Sequence, residues 1–214
     1  MGKWTGLTEN QFNIFVKNIY ACDIGFVSAT DLPGELIQFG SGDTNNPEKL
    51  EVCHAIFFEA NGNTIEADGK KVAKHSIMDY KKSLLAGYVR LLIFRPDEPF
   101  LEATQAQVIK DAETQLNENY NWWEIFFEAV GSIADKLTLG IFNNVNIKNP
   151  AYRNNSPYCS QAVCLSFKND KPHYDPILQG IDISELTPQL YCDRVQKCFT
   201  LIQDTGNNAL AYPK

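Results

Sequence analysis

The pair Asn61-Gly62 constrains this chain more than any other local feature. It stands between two apolar runs, residues 52–60 and 64–67, and an Asn-Gly pair so flanked marks an antiparallel hairpin. Two loop lengths fit the residues. A two-residue Asn61-Gly62 turn pairs Glu66 with Phe57. A three-residue loop over 60–62, a type I turn plus bulge with Gly62 left-handed, sets Glu66 opposite Ile56. Side chains alternate between the faces of a strand, so this one-residue difference decides where Glu66 points. It either shares the face of His54, one diagonal step away, or faces the other side.

Other elements assemble around the hairpin. Thr8-Glu9-Asn10-Gln11 reads as a capping box, and Phe12, Phe15, Val16 and Ile19 follow at helical spacing, predicting a helix over 9–20. Pro33-Gly34 predicts a turn and residues 35–39 a short strand. A further strand is expected over 88–94, closed by Pro96, and an amphipathic helix over 102–117. A more apolar helical stretch covers 122–139. Residues 143–155 read as Asn-rich loop, and Ser156-Pro157 opens a helix running to about residue 167. Residues 170–176 read as loop, and 183–200 as a turn with a strand or short helix. The sum is one α+β domain over 1–214: a small antiparallel sheet, helices grouped on one side, and a helical insertion at about 120–145.

Composition excludes several classes. With 44% hydrophobic and 21% charged residues in 214, the chain can bury a sizeable core, unlike a disordered or fibrous chain. The formal charge of −7, without a basic run, argues against nucleic-acid binding. The stretch 122–142 carries Glu124, Glu128, Asp135 and Lys136, too many charges for a membrane span. The N-terminal residues lack the apolar run of a signal peptide. Six cysteines occur without a CxxC or a zinc-like His spacing, so no metal site is expected. Reduced, mostly buried thiols are the expectation, although Cys192 and Cys198 could pair in an oxidising space.

Few side chains can carry chemistry. Of three histidines, His54 lies within the hairpin's first strand, where a lone imidazole is usually a satisfied core group. His75 and His173 stand in polar, loop-like surroundings and are expected on the surface. Cys159 falls in the first turn of the helix opened by Ser156 and Pro157. There the unpaired N–H groups and the helix dipole favour an anion, so its thiol is expected to ionise more easily than the others. The same N–H groups can face a developing oxyanion. Cys164 lies about a turn and a half further on, without that field. Glu66, if the hairpin takes the longer loop, can orient the imidazole of His54 for a cysteine nucleophile.

Four segments occur in a telling order: Pro33-Gly34-Glu35-Leu36-Ile37-Gln38-Phe39, Val52-Cys53-His54-Ala55-Ile56-Phe57-Phe58, Thr64-Ile65-Glu66-Ala67 and Tyr158-Cys159-Ser160-Gln161-Ala162-Val163. Together they resemble the circularly permuted branch of the NlpC-type papain-like cysteine hydrolases, in which the His strand precedes the Cys helix. That family's "Gly-Asp-Leu-Ile" stands here as Gly34-Glu35-Leu36-Ile37. Its "His-x-Gly-Ile" stands as His54-Ala55-Ile56, without the Gly, and its "Tyr-Cys-Ser-Glu" as Tyr158-Cys159-Ser160-Gln161. A late "Thr-Pro" followed by Leu stands as Thr187-Pro188-Gln189-Leu190. The resemblance spans about residues 33–195.

The resemblance implies a papain-like fold with the nucleophile's helix packed on the sheet. It implies Cys159 as nucleophile, His54 as base and Glu66 as orienting acid. Separately, Tyr158 and Ser160 are expected beside the substrate, although an aromatic beside a helix start is more often packing, and such a mechanism needs no metal or organic cofactor. The expected activity is hydrolysis of an amide, with bacterial cell-wall (peptidoglycan) peptides as substrate class. The protein would be a monomer. Lacking a signal peptide, it would be an antibacterial effector exported by a dedicated secretion system, with an immunity protein at home, or a lysin. The alternatives are an acyltransferase or lipid hydrolase of the same fold, using the apolar 122–142 stretch, and a non-catalytic binding module.

Overall fold

The structure is a computed structural model that describes residues 4–29, 52–67, 71–119 and 159–206. Within them, α1 (Glu9–Lys17) leads into β1 (Ile24–Ala29), and the hairpin follows as β2 (His54–Phe58) and β3 (Asn63–Ala67). Next come β4 (Val72–Ser76), a 3-10 turn (Ile77–Tyr80), α2 (Lys81–Leu85), β5 (Val89–Pro96) and α3 (Glu102–Glu113). The C-terminal part holds α4 (Cys159–Ser166), α5 (Lys171–Leu178), a second 3-10 turn (Ile183–Glu185), α6 (Pro188–Val195) and β6 (Phe199–Asp204). The strand expected over 35–39, the insertion at 120–145 and the Ser156-Pro157-Tyr158 segment lie outside the described residues.

The six strands form one sheet in the order β4-β3-β2-β1-β5-β6, with every neighbouring pair antiparallel. Alternation divides its side chains between two cores. Ile24, Phe26, Ala55, Phe57, Ile65, Ala67, Leu92 and Phe94 meet α3 to α6 on one face. Val27, Ile56, Phe58, Leu91, Ile93 and Ile202 meet α1 and α2 on the other. The fold is therefore α+β as expected, but helices cover both faces rather than one. The amphipathic α1 supplies Phe12 and Phe15 to the second face, and its start is held by the expected box. Thr8 N–H donates to Gln11 Oε1 at 2.8 Å, and Gln11 N–H to Thr8 Oγ1 at 3.2 Å.

Several elements go beyond or against the sequence expectation, the 3-10 turn Ile77–Tyr80 and α2 among them. The central strand β1 was not foreseen. Both its faces are buried, so it lacks the alternation that marks a half-exposed strand. Its Gly25 lets Ile56 approach to where a Cβ would stand 2.5 Å from Ile56 Cγ1. β4 was also missed, because its Lys74 and His75 are polar. Residues 170–176, expected as loop, belong largely to α5, where Pro172 occupies the first turn, in which its missing N–H costs no intrahelical bond, and Pro176 stands inside the helix. The late segment resolves into α6, capped by Thr187 Oγ1 accepting from Leu190 N–H at 3.2 Å, and the edge strand β6.

The hairpin takes the longer register. Phe57 pairs with Ile65 and Phe58 with Thr64, which sets Glu66 opposite Ile56, on the face of His54. Its turn differs in detail from a type I turn. Asn61 and Gly62 both have positive φ, 54° and 76°, and Asn63 N–H closes the turn on the Ala60 carbonyl at 2.9 Å. The left-handed pair of an Asn-Gly turn is thus kept, and the register shift is absorbed by one extra residue before it. A Cβ on Gly62 would stand 2.7 Å from Ile77 Cγ2. We expect Gly62→Ala to cost about 1–3 kcal/mol from the left-handed backbone alone, read as a lower denaturation midpoint with an unchanged slope. A loss within error would mean the turn can relax.

Candidate active site

The elements that carry Cys159, His54 and Glu66 are joined by hydrogen bonds at their ends. α4 is buried on nearly every side and packs on β2, β3, α3 and α6. Its polar residues are tied inward. Ser160 Oγ–H donates to the Leu186 carbonyl, and the Ala162 carbonyl accepts from Gln115 Nε2 at 2.8 Å. Three residues beyond Leu186, Gln189 Oε1 accepts the Val52 N–H at 3.0 Å, just before β2 begins. The segment 186–189 therefore touches the start of α4 and the start of β2 together. These are the two places that hold Cys159 and His54.

Cys159 is 1% exposed and heads the described helix. Its sulfur accepts N–H bonds from Ala55 and Ser160 and is hydrogen-bonded to the ring of His54. Ala55 pairs with Phe26 of β1, while the register of β2 with β3 runs over Phe57 and Phe58 only. The ring's other side is held by Glu66, with Nε2–H donating to Oε2 at 2.8 Å. Nε2 being so engaged, Nδ1 is the nitrogen left for the sulfur. Glu66 is 5% exposed and accepts two further bonds, from Thr64 Oγ1 to Oε1 at 2.8 Å and from Tyr80 Oη to Oε2 at 2.5 Å.

The electrostatics follow from this chain of contacts. Burial alone would push the Cys159 thiol up, but the facing imidazolium, its hydrogen bond and the two N–H donors outweigh it, and the thiol is lowered. Burial would likewise discharge His54, yet the Cys159 thiolate, and then Glu66, raise it to about 10. Burial of Glu66 is overcome by His54, Tyr80 and Thr64, and its carboxyl is lowered. All three shifts favour a thiolate–imidazolium pair backed by a carboxylate through neutral pH.

Three other thiols, Cys22, Cys164 and Cys198, behave oppositely. All six cysteines are buried and none forms a disulfide, Cys192 and Cys198 included. The Sγ–H groups of Cys22, Cys53 and Cys198 donate to the carbonyls of Gln105, Val27 and His173, a role that needs the proton. Burial pushes Cys22 up to about 12 and Cys198 to about 11, and raises Cys164 further above the thiol range.

Three expectations are corrected. Ser160 does not line a groove with its side chain, which is fully buried against Leu186. It contributes its N–H to the sulfur instead. His173 is not a surface imidazole. It is 7% exposed on α5, with Nδ1 at 2.5 Å from Asp170 Oδ2 and the rings of Phe100 and Phe199 edge-on against it. His75 sits on β4, half-buried, with Nδ1 3.8 Å from Asp79 Oδ2, rather than in a loop. Tyr158 lies outside the described residues. Among the described residues, no group of three or more His, Cys, Asp and Glu side chains converges as a metal site would, and no helix is long and apolar enough to cross a membrane.

Sequence reasoning missed four contributors: Thr64, Tyr80, Gln189 and the Ala55 N–H. Thr64 was readable, since two residues from Glu66 on a strand is the same face. Tyr80 arrives from the turn after β4, which carries no local sign of where it docks. No family model and no curated protein matches the chain.

The charge arrangement gives a direct expectation. The His54 ring should remain protonated through neutral pH and lose its proton near about 10. Removing the thiolate with Cys159→Ala withdraws the larger attraction, so the ring should titrate markedly lower. Ring-proton NMR across pH checks this. The same titration in both proteins would mean the sulfur is not the partner of the ring.

Proposed function

We propose that the protein is a cysteine hydrolase that cleaves an amide bond through Cys159, His54 and Glu66, with a bacterial cell-wall peptide as substrate. The single observation that carries this reading is the buried sulfur, hydrogen-bonded to an imidazole whose other nitrogen is held 2.8 Å from a carboxylate. This is the arrangement a thiol needs to act as a nucleophile and pass a proton to a leaving amine. The order of the His and Cys motifs, like that of the permuted NlpC-type papain-like hydrolases, supports the fold family and directs the substrate class toward peptidoglycan amides.

The chemistry runs in two halves. The Cys159 thiolate adds to the amide carbonyl carbon, forming a C–S bond as the carbonyl electron pair moves to oxygen. Collapse of that adduct breaks the C–N bond while the imidazolium of His54 gives its proton to the departing nitrogen. A thioester and a free amine result. Neutral His54 then takes a proton from water as the water oxygen adds to the thioester carbon. Collapse breaks the C–S bond, releases a carboxylic acid and restores the thiolate–imidazolium pair. Glu66 keeps its proton count throughout and holds Nε2–H, so that Nδ1 faces the reaction.

Incubation with purified peptidoglycan, with fragments resolved by mass, tests the reading. We expect new peptide fragments that each gain one water at a single type of amide. Cys159→Ala should abolish them, and His54→Ala should slow their release about 10²–10⁴-fold. Intact peptidoglycan beside a well-folded protein whose Cys159 thiol titrates low would reject the substrate class. An unshifted thiol would reject the mechanism. Adding an export signal in a bacterial host should make the protein lytic if the wall is its target, whereas equal toxicity without one would point to a cytosolic or lipid target.

A further inference from the structure

Tyr80 reaches Glu66 from outside the hairpin. It ends the 3-10 turn Ile77–Tyr80, whose start is fixed by a capping box between Ser76 and Asp79. Ile77 N–H donates to the Gly62 carbonyl at 2.8 Å, so this turn is strapped to the hairpin loop and follows its register. The phenol is placed by that strap. Its hydroxyl sits 2.5 Å from Glu66 Oε2, the oxygen that also receives His54 Nε2–H at 2.8 Å. Thr64 takes the other oxygen at 2.8 Å.

We propose that Tyr80 is a positioning residue of this site: its hydroxyl fixes the aim of Glu66 at His54 and keeps the carboxylate ionised, and thereby sets how readily Cys159 exists as a thiolate. The proposal rests on the Cys159–His54 reading above. Its physical basis is the cost of a buried carboxylate. A carboxylate that is 5% exposed keeps its charge only when its lone pairs are occupied by donors. Here a protonated ring, a hydroxyl and a phenol fill that need. The phenol is an obligatory donor, since burial and then the charge of Glu66 raise its own ionisation well above the ordinary range. Without it, Glu66 Oε2 keeps only His54, the carboxyl takes up a proton at higher pH, and the imidazolium loses its counter-charge there. The thiolate is lost with it on the acid side.

The titratable groups facing this cluster are Cys53 just before β2, His54 on β2, Tyr80 on the turn and Cys159 on α4; the first and last of these also act on Tyr80. On the neighbouring β4, Lys74 commits its ammonium to Glu59 and Glu113 at 2.7 Å each, and His75 lies 3.8 Å from Asp79.

The test follows the ultraviolet thiolate absorbance of Cys159 against pH, as the difference from Cys159→Ala, which requires no substrate. In the wild-type protein the acid limb should lie well below the roughly 8.5 of a free thiol. In Tyr80→Phe we expect that limb to rise by about one pH unit, a roughly tenfold weaker ion pair. Where turnover can be followed, kcat should fall with KM nearly unchanged. A fluorinated tyrosine at position 80, a stronger donor of nearly the same shape, should move the limb the other way and decides the matter even if Tyr80→Phe folds poorly. A merely structural tyrosine would lower the melting temperature and leave the limb in place. A depressed wild-type limb that neither substitution moves overturns the role of Tyr80 alone. A wild-type limb at the free-thiol position overturns the nucleophile reading and this proposal with it.

Discussion

Three ionisable side chains from three elements are held together largely out of water, and the charge of His54 favours that of both Cys159 and Glu66. Cys159, His54 and Glu66 are buried or nearly so, and isolated charges in such a place would neutralise. Together they alternate in sign from α4 through β2 to β3. Further donors serve both anions: Ala55 and Ser160 N–H at the sulfur, Thr64 and Tyr80 at the carboxylate. A buried ion pair of this kind adds little to stability and can cost some. Stability alone therefore gives little reason for its presence where the ends of β2, β3 and α4 meet.

The rest of the architecture can be understood as what keeps this row of charges aligned. The hairpin register brings Glu66 to the face of His54, and the strap from Ile77 to Gly62 brings Tyr80 to Glu66. Across the sheet, the 186–189 segment fixes α4 through Ser160 and β2 through Val52. The helices on both faces then exclude water from the ends of these elements. A slip of one residue at the turn would send Glu66 to the opposite face and leave the ring of His54 without its carboxylate.

What the sequence made legible follows from the range of each signal. Capping at Thr8 and the turn at Asn61-Gly62 are local, and both stand in the structure, although the turn keeps two left-handed residues where a type I turn plus bulge would have one. The position of Glu66 depended on a single register, which narrowed to two options and no further. β1 escaped because a strand buried on both faces carries no alternation, and its Gly25 and Ser28 weaken its propensity. α5 escaped because its prolines read as breakers when one of them sits in the first turn. Tyr80 and Gln189 were invisible for a different reason. Their roles exist only in long-range contacts, and a tyrosine or glutamine in sequence looks the same whether it faces solvent or a buried carboxylate.

The second buried histidine shows why a His–carboxylate pair does not by itself define a reactive site. His173 lies at 2.5 Å from Asp170, as closely coupled as His54 is to Glu66. Its ring, however, is wedged edge-on between Phe100 and Phe199, and the nearby thiol, Cys198, spends its proton on the His173 carbonyl and is pushed up to about 11. Aspartate and histidine are also three residues apart at one helix start, a local pairing that needs no distant element to form it. At His54 the partners come from separate strands and a helix far along the chain, and the thiol there is lowered rather than raised. The same two side-chain types thus serve packing in one place and, on the function proposed above, would support a nucleophile in the other. The deciding difference is whether a sulfur faces the ring as an acceptor of N–H bonds or turns away as a donor.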